Sequence, residues 1–292
     1  MLDFLDLPTR DPKPRQRGMT HVLDKGLGIR QVQDMLETAG EFIDILKLGW
    51  GTGYVTRNLA NKIAIYQEAG IPVCFGGTLL ETAIAQGKLD DYCRTVQRLG
   101  LTHVEFSTGV LEMEIEQKAD YVRRLAKDFI VLAEVGSKDA SAEIDPFRWV
   151  EEIQALFQAG AWKVIAEARE SGTVGLYRQS GEVRSGLVEE IAENFGPDRL
   201  IFEAPQKHQQ VWFIKQFGSS VNLGNIAPDD VIPLETLRLG LRGDTMPDFQ
   251  MPSWIQRAAV VEDLWRLASN GSVLRTVAGG ELRGGGNHAT LG

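Results

Sequence analysis

Five apolar runs in this chain lead into a carboxylate. They are Val22-Leu23-Asp24, His103-Val104-Glu105, Val131-Leu132-Ala133-Glu134, Val164-Ile165-Ala166-Glu167 and Ile201-Phe202-Glu203. An acidic group in such a run is costly to bury without a partner. Its repetition in successive units points to one shared site. The same loops carry cations: Lys25, Lys47, Lys138 and Arg169. Several carboxylates without a His/Cys cluster favour a hard ion, Mg²⁺ rather than Zn²⁺. Lysine and arginine beside them suit an anionic substrate bearing phosphate or carboxylate. The glycine-rich stretches Gly49-Trp50-Gly51-Thr52-Gly53, Gly76-Gly77-Thr78 and Gly218-Ser219-Ser220 allow close backbone approach to a ligand.

Plainer roles compete for some of these residues. Lys47 has a structural alternative, as an ion pair inside the fold. Lys138 has one as a solvated loop residue. His103 stands at the entering end of its run and His208 in a loop, so neither is read as catalytic. Trp50 is read as a packing residue or a lid. Glu112, Glu114 and Glu116 fit a solvated helix start favoured by the helix dipole.

Eight strand-like segments alternate with helix-like ones. The strands are expected at Thr20–Leu23, Ile43–Leu48, Val73–Phe75, His103–Phe106, Ile130–Val135, Lys163–Ala166, Leu200–Glu203 and Val221–Leu223. The helices are expected near Ile29–Ala39, Tyr54–Ala69, Glu81–Leu99, Ile115–Lys127, Pro146–Ala159, Gly186–Asn194, Gln206–Phe217 and Pro233–Leu241. Glycines at 70, 100 and 160 stand just past helix ends, where they act as stops. Most strands are continuously apolar, as a sheet covered on both faces requires. Eight such units in one chain argue for an α/β fold of the (β/α)8 TIM-barrel type. The C-terminal strand ends of such a barrel meet at one mouth, which would gather the five carboxylates. An open doubly wound sheet would want a glycine-rich phosphate fingerprint after its first strand, and none is there. The barrel is expected over 18–247, with an N-terminal arm at 1–17. An extra C-terminal helix and flexible tail are expected at 248–292. Trp254, Ala258, Val261, Trp265 and Ala268 share one helical face there.

The chain has 292 residues and a net charge of −9, which disfavours a nucleic-acid surface. Apolar residues make up 43% and charged residues 24%, a globular balance. No apolar run reaches membrane-span length, and residues 1–17 lack a signal-peptide core, so no membrane partner is expected. Cys74 and Cys93 form no disulfide or metal pattern. Both read as buried thiols of a reducing compartment, which implies a cytoplasmic location.

Several stretches together resemble the phosphosulfolactate synthase family, which adds sulfite to phosphoenolpyruvate in coenzyme M biosynthesis. They are Val22-Leu23-Asp24-Lys25-Gly26-Leu27, Lys47-Leu48-Gly49-Trp50-Gly51-Thr52, Gly76-Gly77-Thr78-Leu79 and Glu134-Val135-Gly136. Further along come Glu167-Ala168-Arg169-Glu170-Ser171-Gly172 and Phe202-Glu203-Ala204-Pro205-Gln206-Lys207. The last are Phe217-Gly218-Ser219-Ser220-Val221-Asn222-Leu223 and Leu241-Arg242-Gly243-Asp244-Thr245.

The resemblance implies a (β/α)8 fold, Mg²⁺ dependence and a homo-oligomer, expected to be a trimer. It implies a carbon–sulfur lyase that makes (2R)-phospho-3-sulfolactate from small anionic substrates. Lys138 is then the expected proton donor, with Lys47 and Glu134 as further catalytic groups. Lys25, Arg169, Arg242, Ser219 and Asn222 are expected to bind substrate. Asp24, Glu105, Glu134, Glu167 and Glu203 are the expected metal carboxylates. Two positions depart from the family pattern. Ser137 stands where a first lysine is common, and Ser107-Thr108-Gly109 stands where Ser-Asp-Gly or Ser-Asn-Gly is common. Two alternatives stay open. One is a catalytically idle heat-stress-type member. The other is a Schiff-base aldolase using Lys47 or Lys138.

Overall fold

Strand by strand, alternate residues part to opposite faces, and this sorting explains the architecture. The computed structural model describes residues 4–136 and 145–249. It contains eight parallel strands: β1 (Thr20–Asp24), β2 (Ile45–Leu48), β3 (Val73–Phe75), β4 (His103–Phe106), β5 (Ile130–Val135), β6 (Ala161–Ala166), β7 (Leu200–Glu203) and β8 (Leu223–Ile226). Their order is β3-β2-β1-β8-β7-β6-β5-β4. β3 and β4 also lie side by side, so the ring is nearly closed. Between the strands run α1 (Ile29–Ala39), α2 (Thr52–Val55), α3 (Leu59–Glu68), α4 (Gly77–Ala85), α5 (Leu89–Arg98), α6 (Ile115–Leu125), α7 (Pro146–Gln158), α8 (Ser185–Phe195), α9 (Lys207–Phe217) and α10 (Val231–Arg238). A short α11 (Met246–Phe249) follows. The fold is a (β/α)8 TIM barrel.

One residue set on each strand faces the helices. Val22, Leu46, Val104, Val131, Val164 and Phe202 belong to this outer core. The other set fills the ring. Met19, Ile45, Cys74, Leu132, Ile165 and Ile201 form an inner core of their own. Both faces are therefore dry, which is why the strands read as unbroken apolar runs.

Three sequence expectations need correction. The helix expected over Tyr54–Ala69 is two pieces, because Asn58 takes a left-handed φ of 55° between α2 and α3. The one expected over Glu81–Leu99 is also two, broken at Gly87 with φ 66°. A left-handed residue stops an α-helix. The eighth strand lies at Leu223–Ile226 rather than Val221–Leu223, with Thr20 opposite Leu223 and Val22 opposite Ile226. The amphipathic helix expected from Trp254 lies outside the described residues.

The N-terminal arm packs under the ring, at the end where the strands enter. Arg15 pairs with Asp44 at 3.2 Å and donates to the carbonyls of Asp11 and Glu41. Arg10 pairs with Glu235 of α10 at 2.9 Å. Lys163 of β6 donates to the Gln16 and Asp198 carbonyls at 2.7 and 2.6 Å.

Candidate active site

Four charged residues of the mouth stand one pleat above an apolar residue of the inner core. Lys47 follows Ile45 by two, Glu134 follows Leu132, Glu167 follows Ile165 and Glu203 follows Ile201. Glu105 follows His103 in the same way. A spacing of two keeps all of them on the inner face. They line a cavity of about 450 Å³ at the C-terminal strand ends, together with Trp50, Gly76, Gly77, Arg169 and Asn225.

Lys47 is the hub. Its Nζ lies 3.0 Å from Glu105 Oε2, 3.2 Å from Glu203 Oε1 and 3.5 Å from Glu134 Oε1. Burial alone would pull its pKa down. The charges of Glu105, Glu203 and Glu134 outweigh that and hold it well above the usual lysine range. Burial pushes Glu105 well up, and the nearby Glu134 charge adds to this against the pull of Lys47. Burial likewise pushes Glu203 up to about 7, partly offset by Lys47. Three carboxylates crowd one ammonium in a dry place, so the cluster tends to keep a proton on a carboxyl.

Backbone N–H groups hold the carboxylates in place. Gly77 N–H donates to Glu105 Oε1 at 2.8 Å, and Ala168 N–H to Glu203 Oε2 at 2.8 Å. Gly77 needs to be glycine: a Cβ there would stand 2.5 Å from Ser107 Oγ and 3.0 Å from the Ser107 backbone nitrogen. Arg169 reaches the cavity on a tight turn. Gly172 N–H donates to the Arg169 carbonyl, and Arg169 N–H to the Thr173 carbonyl. Gln209 of α9 pins that turn through the Gly172 carbonyl at 2.8 Å.

Other expected site residues lie elsewhere. Asp24 is completely buried but faces the helices, because it shares parity with Val22. It pairs with Lys62 at 2.6 Å, accepts from Tyr66 Oη at 2.9 Å, and takes the Gly26 and Leu27 N–H groups. It is a clamp between β1 and α3. Asn222 and Ser219 stand at the opposite end of the barrel from the mouth. Asn222 accepts from Met19 N–H and donates to the Leu200 and Asp198 carbonyls. Ser219 offers its carbonyl to Arg238. They precede β8, so they lie at its entering end. Arg242 follows α10, 3.9 Å from Asp244, and does not line the cavity. Lys25 sits at the rim, half exposed and paired with Glu170 at 2.6 Å. Lys138 lies outside the described residues.

Asn225 was missed by the sequence reading. It takes a left-handed φ of 55°, lines the cavity, and keeps a buried Oδ1 without a hydrogen-bond partner. A polar residue at the leaving end of an apolar strand was the available signal.

The chain matches the profile of the (2R)-phospho-3-sulfolactate synthase (ComA) family over residues 8–244. It belongs to that family. A phosphosulfolactate synthase of Bacillus subtilis (strain 168) is 44% identical over 249 residues, covering 84% of this chain and 99% of the relative. One from Methanocaldococcus jannaschii is 46% identical over 237 residues, covering 79% and 94%. The Arabidopsis thaliana protein HEAT-STRESS-ASSOCIATED 32 is 23% identical over 267 residues, covering 80% and 90%. Among solved structures, the carboxyl transferase domain from Rhizobium etli pyruvate carboxylase superposes with a TM-score of 0.50 at 14% identity, covering 73% of this chain and 40% of that one. That likeness shows the fold alone. Membership makes the chain a lyase-type enzyme of small substrates. Among the described residues, no helix is long and apolar enough to cross a membrane.

Proposed function

We propose that the chain adds sulfite to phosphoenolpyruvate, giving (2R)-phospho-3-sulfolactate with Mg²⁺ as cofactor. The observation that carries this reading is the Lys47 hub at the base of a mouth cavity that Arg169 also lines. The donor chemistry fits Mg²⁺. Glu105, Glu134, Glu167 and Glu203 offer oxygen only, and they outnumber the cations beside them. Glu134 and Glu167, with Glu105 and Glu203 behind them, would hold the ion. When bound, Mg²⁺ supplies positive charge where the substrate carboxylate gains negative charge.

The remaining work belongs to the chain. Sulfite is nucleophilic near neutral pH, so no base is needed to start the attack. Its sulfur bonds to the methylene carbon of phosphoenolpyruvate, and the double-bond electrons move toward the carboxylate. A proton must then reach the neighbouring carbon from one face. Arg169 supplies a fork suited to phosphate or sulfite oxygens. The ammonium of Lys47 stabilises charge from the barrel side. Lys138 stays the proposed donor, with Lys47 as its alternate. A Schiff-base reaction through Lys47 would need a neutral amine, and three carboxylates hold it as ammonium.

The test is incubation with phosphoenolpyruvate and sulfite, with Mg²⁺ and with EDTA, reading the product by mass. A sulfonated phosphoester formed only with Mg²⁺ is expected. No such product, or full turnover in EDTA, refutes the reaction or the metal respectively. Lys138→Met should lower kcat by roughly 10²-fold. A near-normal kcat would transfer the donor role to Lys47.

A further inference from the structure

One pleat below the mouth, the ring holds side chains that the proposed reaction does not use. His21 of β1 and Cys74 of β3 are completely buried beside Glu105. One ligand atom from each of the three lies within 4.8 Å of the other two. Both ring nitrogens of His21 are buried without a hydrogen-bond partner, whereas Glu105 Oε2 has Lys47 Nζ at 3.0 Å. Such groups are costly to leave unmatched. Glu105 does not satisfy the imidazole, since His21 Nε2 stands 4.0 Å from Glu105 Oε2, beyond hydrogen-bond reach. An atom placed between them would answer the imidazole. A water would gain little from the sulfur, which is a weak acceptor. An ion that accepts nitrogen, sulfur and oxygen together would use all three.

We propose that His21, Cys74 and Glu105 form an internal site for a borderline-soft divalent cation of the Zn²⁺ class, one that shares Glu105 with the Mg²⁺ site. Imidazole nitrogen, thiolate sulfur and carboxylate oxygen are the ligand types such ions take. Mg²⁺ prefers all-oxygen surroundings and does not compete here. Bonds of about 2.0–2.3 Å require the three atoms to draw together by a small shift. Cys74 binds as thiolate, so its proton leaves to solvent as the ion enters. No electron is transferred. Spacing in the sequence hides the set, because its members come from three different strands.

Glu105 couples the two levels. Its Oε2 is the atom that pairs with Lys47 at 3.0 Å. An ion that takes this oxygen loosens the hub, leaving Lys47 with Glu203 and Glu134. The site therefore acts as an inhibitory one whose occupancy weakens turnover.

The test uses the full chain at saturating Mg²⁺, titrated with Co²⁺ as a spectroscopic stand-in and then with Zn²⁺. One Co²⁺ per chain is expected, with a thiolate-to-cobalt charge-transfer band that Zn²⁺ abolishes. Cys74→Ser should remove the band. His21→Leu should weaken Co²⁺ binding by at least about tenfold. X-ray absorption at the zinc edge of the unmutated protein should show one sulfur bonded to zinc, a readout that does not depend on any variant folding. Where turnover is followed, Zn²⁺ should inhibit the wild type, and Cys74→Ser should resist. No band and no zinc–sulfur bond overturn the site. A band that survives Cys74→Ser overturns this ligand set, and equal zinc inhibition of both proteins overturns the coupling through Glu105.

Discussion

At the floor of the barrel, Asn222, Arg238 and Lys163 turn their donors onto backbone carbonyls. At the mouth, Lys47 faces three carboxylates, and Asn225, which lines the cavity, keeps a buried oxygen unmatched. Both ends use buried polar groups. The floor matches them to fixed main-chain partners and so ties strands and arm together. The mouth gathers three carboxylates around one ammonium, leaving an excess of negative charge for a ligand or a proton to balance. Stability and chemistry are thus separated along one axis, as expected of this fold.

The sharpest way to break the contrast is Lys47→Met. It leaves three carboxylates without their shared cation, and removing one member of a buried ion pair costs about 3–5 kcal/mol. Turnover should fall by roughly 10²-fold or more. A variant with wild-type melting and near-normal kcat would remove Lys47 from the centre of this account. Asn222→Ala strikes the other end. It should cost about 1–3 kcal/mol in urea unfolding and leave kcat and KM unchanged in the folded enzyme. A selective loss of kcat would return Asn222 to the site.

Arg169→Lys keeps the charge and loses the planar fork. KM for phosphoenolpyruvate or sulfite should rise by about tenfold, roughly 1.4 kcal/mol. Unchanged kinetics would sink the anion role.

Glu203→Gln tests the mouth by pH. In the folded state this carboxyl titrates near about 7, above its ordinary 4.5. Between those values the folded chain holds more protons than the unfolded one. Stability should therefore fall as pH rises through that window. Melting temperature against pH should show a flatter slope there in Glu203→Gln, and an identical slope would locate the proton elsewhere. The smallest effect is expected of Ser219→Ala, within about 0.5 kcal/mol, since only the Ser219 carbonyl is engaged.

Much of this was legible in the sequence. The alternation of strands and helices, the barrel and the strand-end glutamates of β4, β5, β6 and β7 could all be read there. Asp24 was misread for a reason the sequence also contained. It follows Leu23 by one rather than two, so it shares the face of Val22. Asn222 was expected to bind substrate because of the family resemblance, whereas with the eighth strand at Leu223–Ile226 it stands just before the strand, at the entering end. No spacing rule could reveal the proximity of His21, Cys74 and Glu105, since ring closure makes it. Splitting at Asn58 and Gly87 escaped notice because apolar periodicity runs on across both breaks.

The seam between β1 and β8 has a consequence for biogenesis. Arg238 of α10 donates to the Met19 carbonyl, and Arg10 reaches Glu235, so the beginning of the barrel is secured by nearly its last helix. On the ribosome, β1 must wait with one edge unpaired until the eighth unit emerges. An unpaired parallel edge invites pairing with other chains. The nascent protein is therefore most vulnerable to aggregation late in translation, when seven strands are made and the eighth is still inside the exit tunnel.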